Sequence, residues 1–548
     1  MQHSGTVSTP YTEAKILWLP YLSMAGAAGF AFLLYFATAA PGLTWAHHGA
    51  DGGELLAAAL TNGVPHPPGY PLYMMLLQGW LWLGAVLWPG GDPAWLGSLF
   101  SITCAALSSG VTVRVAAHFL YGVKRRWLWA LITGIAWTTA PLPWSQALIT
   151  EVYALHMLLV ALLGWALFVK RKSPYWLVVA LMLGTSHHLT FILLLPAVLY
   201  YLWFVRAQSM QERWQYVGYL ALGGLLGLLF FIRTPLAAAS ALPSPVNWGY
   251  PDNWEGFWWL VSGAAYRGYL FGAPSSTLLM RIAAWASTLT NQLTPVGLAL
   301  MLIGLSHWDR QESHLRNFSL LWLTPISIYA INYYTRDSEI YLLPVVWLAM
   351  LWFGVGLATL QEWLQSTWAQ QQPLQNPSTA QATSSGQPQT PTSSARTSQP
   401  DLGALLLLLT LVGLMGLTGW RWTTVSARND FRAQYFLQET ISVLEPHSIV
   451  VSSADAETFA LWYGAWGSGE LLHQYPDTVL INYALYQFPW YRRLLMTQYP
   501  DVVQNSASVE EILALNQDRP IFFSEEFSFW PAEQMQPVGP IWRYVAPE

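Results

Sequence analysis

Long apolar runs separated by short polar stretches dominate the first 420 positions. Residues 16–40, 94–119, 127–140, 152–169, 216–232, 281–305, 318–334, 340–360 and 402–420 each read as a membrane-crossing helix. The shorter runs 175–187 and 189–205 read as a pair that turns at His187-His188. A bilayer-spanning helix needs about 20 apolar residues, so the pattern predicts an α-helical polytopic membrane protein with about eleven transmembrane helices. Residues 71–88 are also apolar, but Gln78 and Gly79 interrupt them. From 421 to 548 the pattern changes: charges return, and β-rich runs at 449–452, 478–482 and 520–523 alternate with helix-like stretches. That predicts a small C-terminal α/β domain. Between the two parts, 365–400 is rich in Gln, Ser, Thr and Pro, a composition that buries no core and predicts a disordered linker.

Composition agrees with a membrane protein. Only 10% of the 548 residues are charged and 54% are hydrophobic, against about 25% charged in a typical soluble domain. The 32 Trp and 27 Tyr suit helix ends at bilayer interfaces. Nothing in this composition points to nucleic acid. The lone cysteine, Cys104, lies in an apolar run and excludes an internal disulfide and a cysteine metal cluster. Residues 1–14 are polar and expected to fray, and 16–40 is a full span rather than a cleavable signal.

Basic clusters mark the cytoplasmic side. Lys124-Arg125-Arg126 and Lys170-Arg171-Lys172 both fall there if the N-terminus is cytoplasmic and 71–88 does not cross. The expectation is therefore that 71–88 lies along the outer leaflet as a juxtamembrane helix. On this topology the loops 41–93 and 233–280, and the domain after 420, are extracytoplasmic. The expected location is a bacterial cytoplasmic membrane.

The stretch that organises the chain is 46–73, AHHGADGGELLAAALTNGVPHPPGYPLY. Asp51 and Glu54 stand one helical turn apart in apolar surroundings, where carboxylates are costly and usually functional. One reading makes Asp51 a general base with a raised pKa. The other makes it the cap of a helix starting at Gly52. Pro65, Pro67 and Pro68 stiffen the segment around His66 and would aim that imidazole at a fixed target such as a phosphate, or form a simple turn. On the expected topology Glu151 faces the same compartment, as do His187 and His188. Adjacent histidines in a helix point apart, so this pair makes a poor metal site. Arg233, Arg267 and Arg336 lie at external membrane boundaries, where arginine either grips phosphate or snorkels to headgroups.

The chain resembles the DUF2723 membrane family, which includes the TMEM260-type protein O-mannosyltransferases. The resemblance rests on D-G-G-E-L followed by G-V-P-H-P-P-G-Y-P-L-Y (Asp51–Tyr73), T-E-V-Y-A-L-H (Thr150–His156) and S-H-H-L-T (Ser186–Thr190). It rests also on N-W-G-Y-P-D (Asn247–Asp252), G-A-A-Y-R (Gly263–Arg267) and R-D-S-E-I-Y-L-L-P (Arg336–Pro344), and covers about 16–360. The domain after 420 is similar in architecture only. The resemblance implies a GT-C glycosyltransferase fold and a polyprenyl-phosphate-linked sugar donor, with mannose as the expected sugar. It implies Asp51 as catalytic base with Glu54 beside it. The positions read as binding the donor phosphate or substrate are His66, Glu151, His187, His188, Arg233, Tyr266, Arg267, Arg336 and Asp337.

The expected chemistry is an inverting displacement at the sugar's anomeric carbon, with a protein or lipid hydroxyl as acceptor and no cofactor required. A divalent metal near Asp51, Glu54 and the histidines is compatible with the residues but demanded by none. Two other readings use the same features: a transporter with Asp51 and Glu54 as ion sites, and a non-catalytic membrane scaffold. Transporters usually carry such acids near the bilayer centre within internal repeats, whereas here the acids cluster in external loops.

Overall fold

A computed structural model describes residues 18–240, 243–310, 312, 314–371, 401–527 and 530–545. The expectations for 1–14 and for most of 365–400 fall outside these residues. Seven described helices are long and apolar enough to cross a membrane: Leu19–Thr38, Pro93–Phe119, Leu189–Arg206, Met210–Ala238, Ser275–His307, Ser338–Trp368 and Leu402–Val425. Pro71–Leu87, Tyr153–Val169 and Pro174–Thr185 are shorter apolar helices. Helices Arg126–Thr139 and Leu315–Asn332 complete the bundle.

Ser338–Trp368 is the most enclosed of the long helices, and Leu402–Val425 is almost entirely surface. The first packs along Leu278–His307, where Gly304 and Gly356 let the backbones touch. The second presents Leu405, Leu408, Leu409, Val412 and Trp420 outward. Apolar side chains facing outward along a whole helix are what a lipid solvent requires.

Helix Pro71–Leu87 would extend about 25 Å, less than the hydrocarbon core of about 30 Å. Its first turn is tied by Leu72 N–H to Ser186 O, 3.2 Å. At its far end Trp88 packs edge-on against Trp95, ring centroids 5.1 Å apart. Trp95 opens the next helix, whose Gly97 touches Thr150. Ser186 and Thr150 both border the candidate site described below. Both ends of the helix are thus tied to elements that carry the candidate site.

Two boundaries differ from the sequence reading. The helix expected at 216–232 runs from Met210 to Ala238, so the large loop starts at 239 and Arg233 is helical. That loop carries a helix of its own, Trp254–Val261, capped by Asn253. Asp51 is not a helix cap. The helix is Asp51–Leu60, Ala50 occupies the cap position, and no side chain caps it.

The C-terminal domain is a five-stranded sheet. Strands β1 (Ile449–Ser452), β2 (Val479–Asn482) and β3 (Ile521–Phe523) are parallel; β4 (Met535–Val538) and β5 (Ile541–Tyr544) form a hairpin beside β3. The order is β2-β1-β3-β5-β4. Fully buried β1, β2 and β3 explain their continuous apolar runs.

The domain is bolted to the membrane part. Asp430 accepts from Thr44 Oγ1 (2.5 Å), Trp45 N–H (3.1 Å) and Ala46 N–H (2.9 Å). Arg493 makes a two-pronged ion pair with Asp252 (3.0 and 2.6 Å) over the Tyr250 ring. Tyr463 donates to Asp92 and accepts from Ala94 N–H.

Candidate active site

The site is built on helix Asp51–Leu60 and the proline-rich turn that follows it. Residues 64 and 247 pair as a short parallel bridge: Val64 N–H donates to Val246 O (2.9 Å) and Trp248 N–H to Val64 O (3.0 Å). This joins two motifs that lie far apart in the chain. It also sets the Trp248 ring 6.2 Å from the His66 ring.

Glu54 is fully buried and His66 nearly so. Glu54 accepts from His66 N–H (2.8 Å) and pairs with its ring at Nδ1 (2.5 Å). The other ring nitrogen faces Tyr70 Oη at 3.2 Å and Asp51 at 3.8 Å. Burial alone would push the imidazole down. The Glu54 and Asp51 carboxylates more than reverse this and hold it as imidazolium, up to about 10. The turn thus holds one cation against a buried anion and points its free edge into the cleft.

Asp51 is one turn from Glu54 on the same face, but 36% of its side chain is exposed. Burial of the rest pushes its carboxyl up to about 7; the His66 charge works against this, and Glu54, Asp455 and Asp337 add to it. It accepts no hydrogen bond from its own helix among the described residues. A partly exposed carboxylate with no hydrogen bond among the described residues, half-protonated near neutrality, is suited to take a proton.

Glu151 lies behind Asp51, against which Thr150 packs at Gly52. Among the described residues its carboxylate accepts one hydrogen bond, from Val152 N–H (2.9 Å). Burial, then the nearby Asp51 charge, push it well above the usual carboxylate range. His187 is buried and donates from Nε2 to Val152 O (3.0 Å), bracing the backbone beside Glu151. His188 Nδ1 accepts from Thr190 N–H (3.2 Å). Burial pushes both histidines down to about 3, so they act as neutral rings.

Tyr266 sits on a short turn opened by left-handed Gly263, its ring 6.2 Å from His66. Burial, then Asp51 and Glu54, keep its phenol well above the usual range. The same turn carries Arg267, which donates to Ser262 Oγ (2.5 Å) and is exposed. Tyr334 N–H donates to Tyr269 O (2.9 Å), which ties the Arg267 turn to the segment bearing Arg336 and Asp337. Arg336 is exposed there. Arg233 turns elsewhere: it donates to Gly63 O (3.1 Å) and reaches Asn62 (3.4 Å), and so braces the first loop from outside.

Two contributors lie outside the motifs. Arg281 donates to Ile331 O (2.5 Å), Ala330 O (3.2 Å), Tyr333 O (2.6 Å) and Ser338 Oγ (2.9 Å), and so shapes the 333–338 segment. Asp455, from the C-terminal domain, bears electrostatically on Asp51, Glu54 and His66. Among the described residues no group of three or more His, Cys, Asp or Glu is arranged to hold a metal ion.

Residues 51–211 match the family model of the protein O-mannosyl-transferase TMEM260 N-terminal domain. The match begins at Asp51 and includes Glu54, His66, Glu151, His187 and His188. The chain is 24% identical to the protein O-mannosyl-transferase tmem260 of Dictyostelium discoideum over 282 residues, 47% of this chain and 33% of that protein. It is 34% identical to the TMEM260 protein of Mus musculus over 119 residues, 21% of this chain and 15% of that one. The matched stretches thus span a third or less of these relatives. In fold the chain resembles ArnT from Cupriavidus metallidurans bound to undecaprenyl phosphate, with a TM-score of 0.55, 12% identity and coverage of 95% of this chain and 98% of that one. The TMEM260-type resemblance and the GT-C fold it implied both stand.

Proposed function

We propose that this protein is a membrane glycosyltransferase that moves a sugar, expected to be mannose, from a polyprenyl-phosphate donor to a hydroxyl acceptor on the extracytoplasmic face. Protein O-mannosylation is the form of this reaction that the relatives' names favour. The observation that carries the reading is Asp51: a cleft-facing carboxylate poised near neutrality, beside an imidazolium fixed by a buried carboxylate. The undecaprenyl phosphate bound by ArnT supports the donor class.

In the proposed reaction the acceptor oxygen attacks the anomeric carbon as its proton passes to Asp51. The bond from that carbon to the phosphate oxygen breaks, and polyprenyl phosphate leaves with the electron pair. The phosphate is already a good leaving group, so no strong general acid is needed. Its charge is met by His66, Arg267 and Arg336, preorganised cations at the rim of a partly dry site. The displacement inverts the anomeric centre and needs one base and no covalent enzyme intermediate. The donor's lipid tail would lie among the outward apolar helices.

The test is incubation of the purified protein with a panel of polyprenyl-phosphate sugars and with serine- or threonine-bearing peptides and lipid acceptors, reading products by mass. A hexose added to one acceptor class is the expected result. No transfer from any donor, with a well-folded protein, would reject the reading.

A further inference from the structure

Helix Asp455–Trp462 is where the C-terminal domain meets the reactive loop. A Cβ on Gly53 would lie 2.3 Å from the Phe459 carbonyl oxygen, so only glycine allows this approach. Asp455 precedes Phe459 by four residues and therefore sits on the same helix face, one turn toward the helix start. It is exposed, and its carboxylate makes no hydrogen bond or ion pair among the described residues. The backbone carrying it is held firmly. Ala454 N–H donates to Glu525 Oε1 (2.9 Å), Thr458 Oγ1 to Ser452 Oγ (2.9 Å), and Asn482 Nδ2 to Thr458 Oγ1 (2.8 Å).

The sheet gives this position a further meaning. In open α/β sheets ligands lie beyond the carboxyl ends of the parallel strands. β1 ends at Ser452, three residues before Asp455, and β3 ends just before Ser524 and Glu525. The carboxyl edge of the parallel strands is therefore the edge turned toward Asp51, Glu54 and His66.

We propose that the C-terminal domain forms the acceptor wall of the site, and that Asp455 on it selects peptides carrying Lys or Arg next to the hydroxyl that receives the sugar. This rests on the peptide glycosyltransferase reading above. A rigidly placed, unpaired carboxylate is matched by a mobile cation. Asp455 feels the Glu54 charge, which the His66 imidazolium offsets only in part, and a cation on the acceptor relieves what remains. A peptide with Glu at the same place meets the opposite field.

The experiment uses the full-length protein, a polyprenyl-phosphate mannose donor and paired threonine peptides flanked by Lys or by Glu. The wild type should favour the Lys peptide in kcat/KM by roughly two- to fivefold, the range of one solvent-accessible charge pair. Asp455→Asn should bring the ratio toward one, mainly through KM, and Asp455→Lys should invert it. An unchanged ratio in both variants overturns the proposal. Absence of transfer by the wild type to either peptide would instead reject the mannose-to-peptide form of the reading on which the proposal rests. Fluorescence anisotropy of the same labelled peptides then decides Asp455 separately: Lys-peptide binding lost in Asp455→Lys supports its role, and equal binding overturns it.

Discussion

Replacing Glu54 with Gln tests the electrostatic centre of the site. Glu54 is fully buried and is the counter-ion of His66 through two contacts, 2.8 and 2.5 Å. Gln keeps the acceptor for the His66 backbone N–H but removes the charge. The shift of His66 from 6.5 to about 10 corresponds to about 4 kcal/mol of stability at pH 7. Breaking a buried ion pair by removing one partner costs about 3–5 kcal/mol, so the two routes agree. Because the folded-state pKa is raised, this stability is complete below pH 6.5 and is lost as pH rises through about 10. Asp51 acts oppositely, since its raised carboxyl costs stability that grows from pH 3.8 to about 7 and is then constant. Above pH 7 Asp51 no longer changes the profile, while the raised Glu151 carboxyl can still cost stability as it ionises, so across the window from pH 7 to 10 the difference between the wild type and Glu54→Gln reports His66. Thermal unfolding in detergent should show the wild type losing stability across that window and Glu54→Gln starting lower with a flatter profile. Histidine nitrogen NMR should find His66 doubly protonated at pH 8 in the wild type only. A wild-type His66 that titrates near 6.5, or parallel pH profiles for the two proteins, would refute the reasoning.

Three further outcomes follow. The kcat/KM for sugar transfer should rise about tenfold per pH unit up to about 7 and then level off, as Asp51 loses its proton; a flat profile from pH 5 to 8 would contradict this. Gly53→Ala should destabilise the protein by about 1–3 kcal/mol through the clash with Phe459, with limited proteolysis releasing the C-terminal domain faster. Arg281→Gln strands three carbonyls and Ser338, at a cost of about 2–3 kcal/mol. It should weaken donor binding, read as a higher KM for the donor at little-changed acceptor KM.

The polar loop 46–73 was legible because two acids and a histidine amid apolar sequence have few structural excuses. Strands β1, β2 and β3 were legible for a related reason, since strands buried on both faces read as short apolar runs. β4 and β5 were not, because they are short, partly exposed edge strands and β4 contains Pro537. Asp455 was invisible to sequence reasoning: nothing local marks it, and it comes near Glu54 and His66 only because Phe459 on its helix packs against Gly53. Arg281, the first residue of the 281–305 run, carries no local mark of its part as a backbone clamp. Arg233 reads the same as Arg267 in sequence, and only the fold separates a brace on the first loop from an exposed side chain. The capping reading of Asp51 failed because the helix starts one residue earlier than expected, turning its carboxylate outward.

The central claim, that Asp51 is the proton acceptor for sugar transfer, is tested most directly by Asp51→Asn in the purified transfer assay. The substitution is nearly isosteric and removes a carboxylate whose burial is unfavourable, so thermal stability should hold or rise. Transfer should fall by about 10²–10⁴-fold, with donor KM little changed. An Asp51→Asn protein that transfers sugar at the wild-type rate would contradict the account.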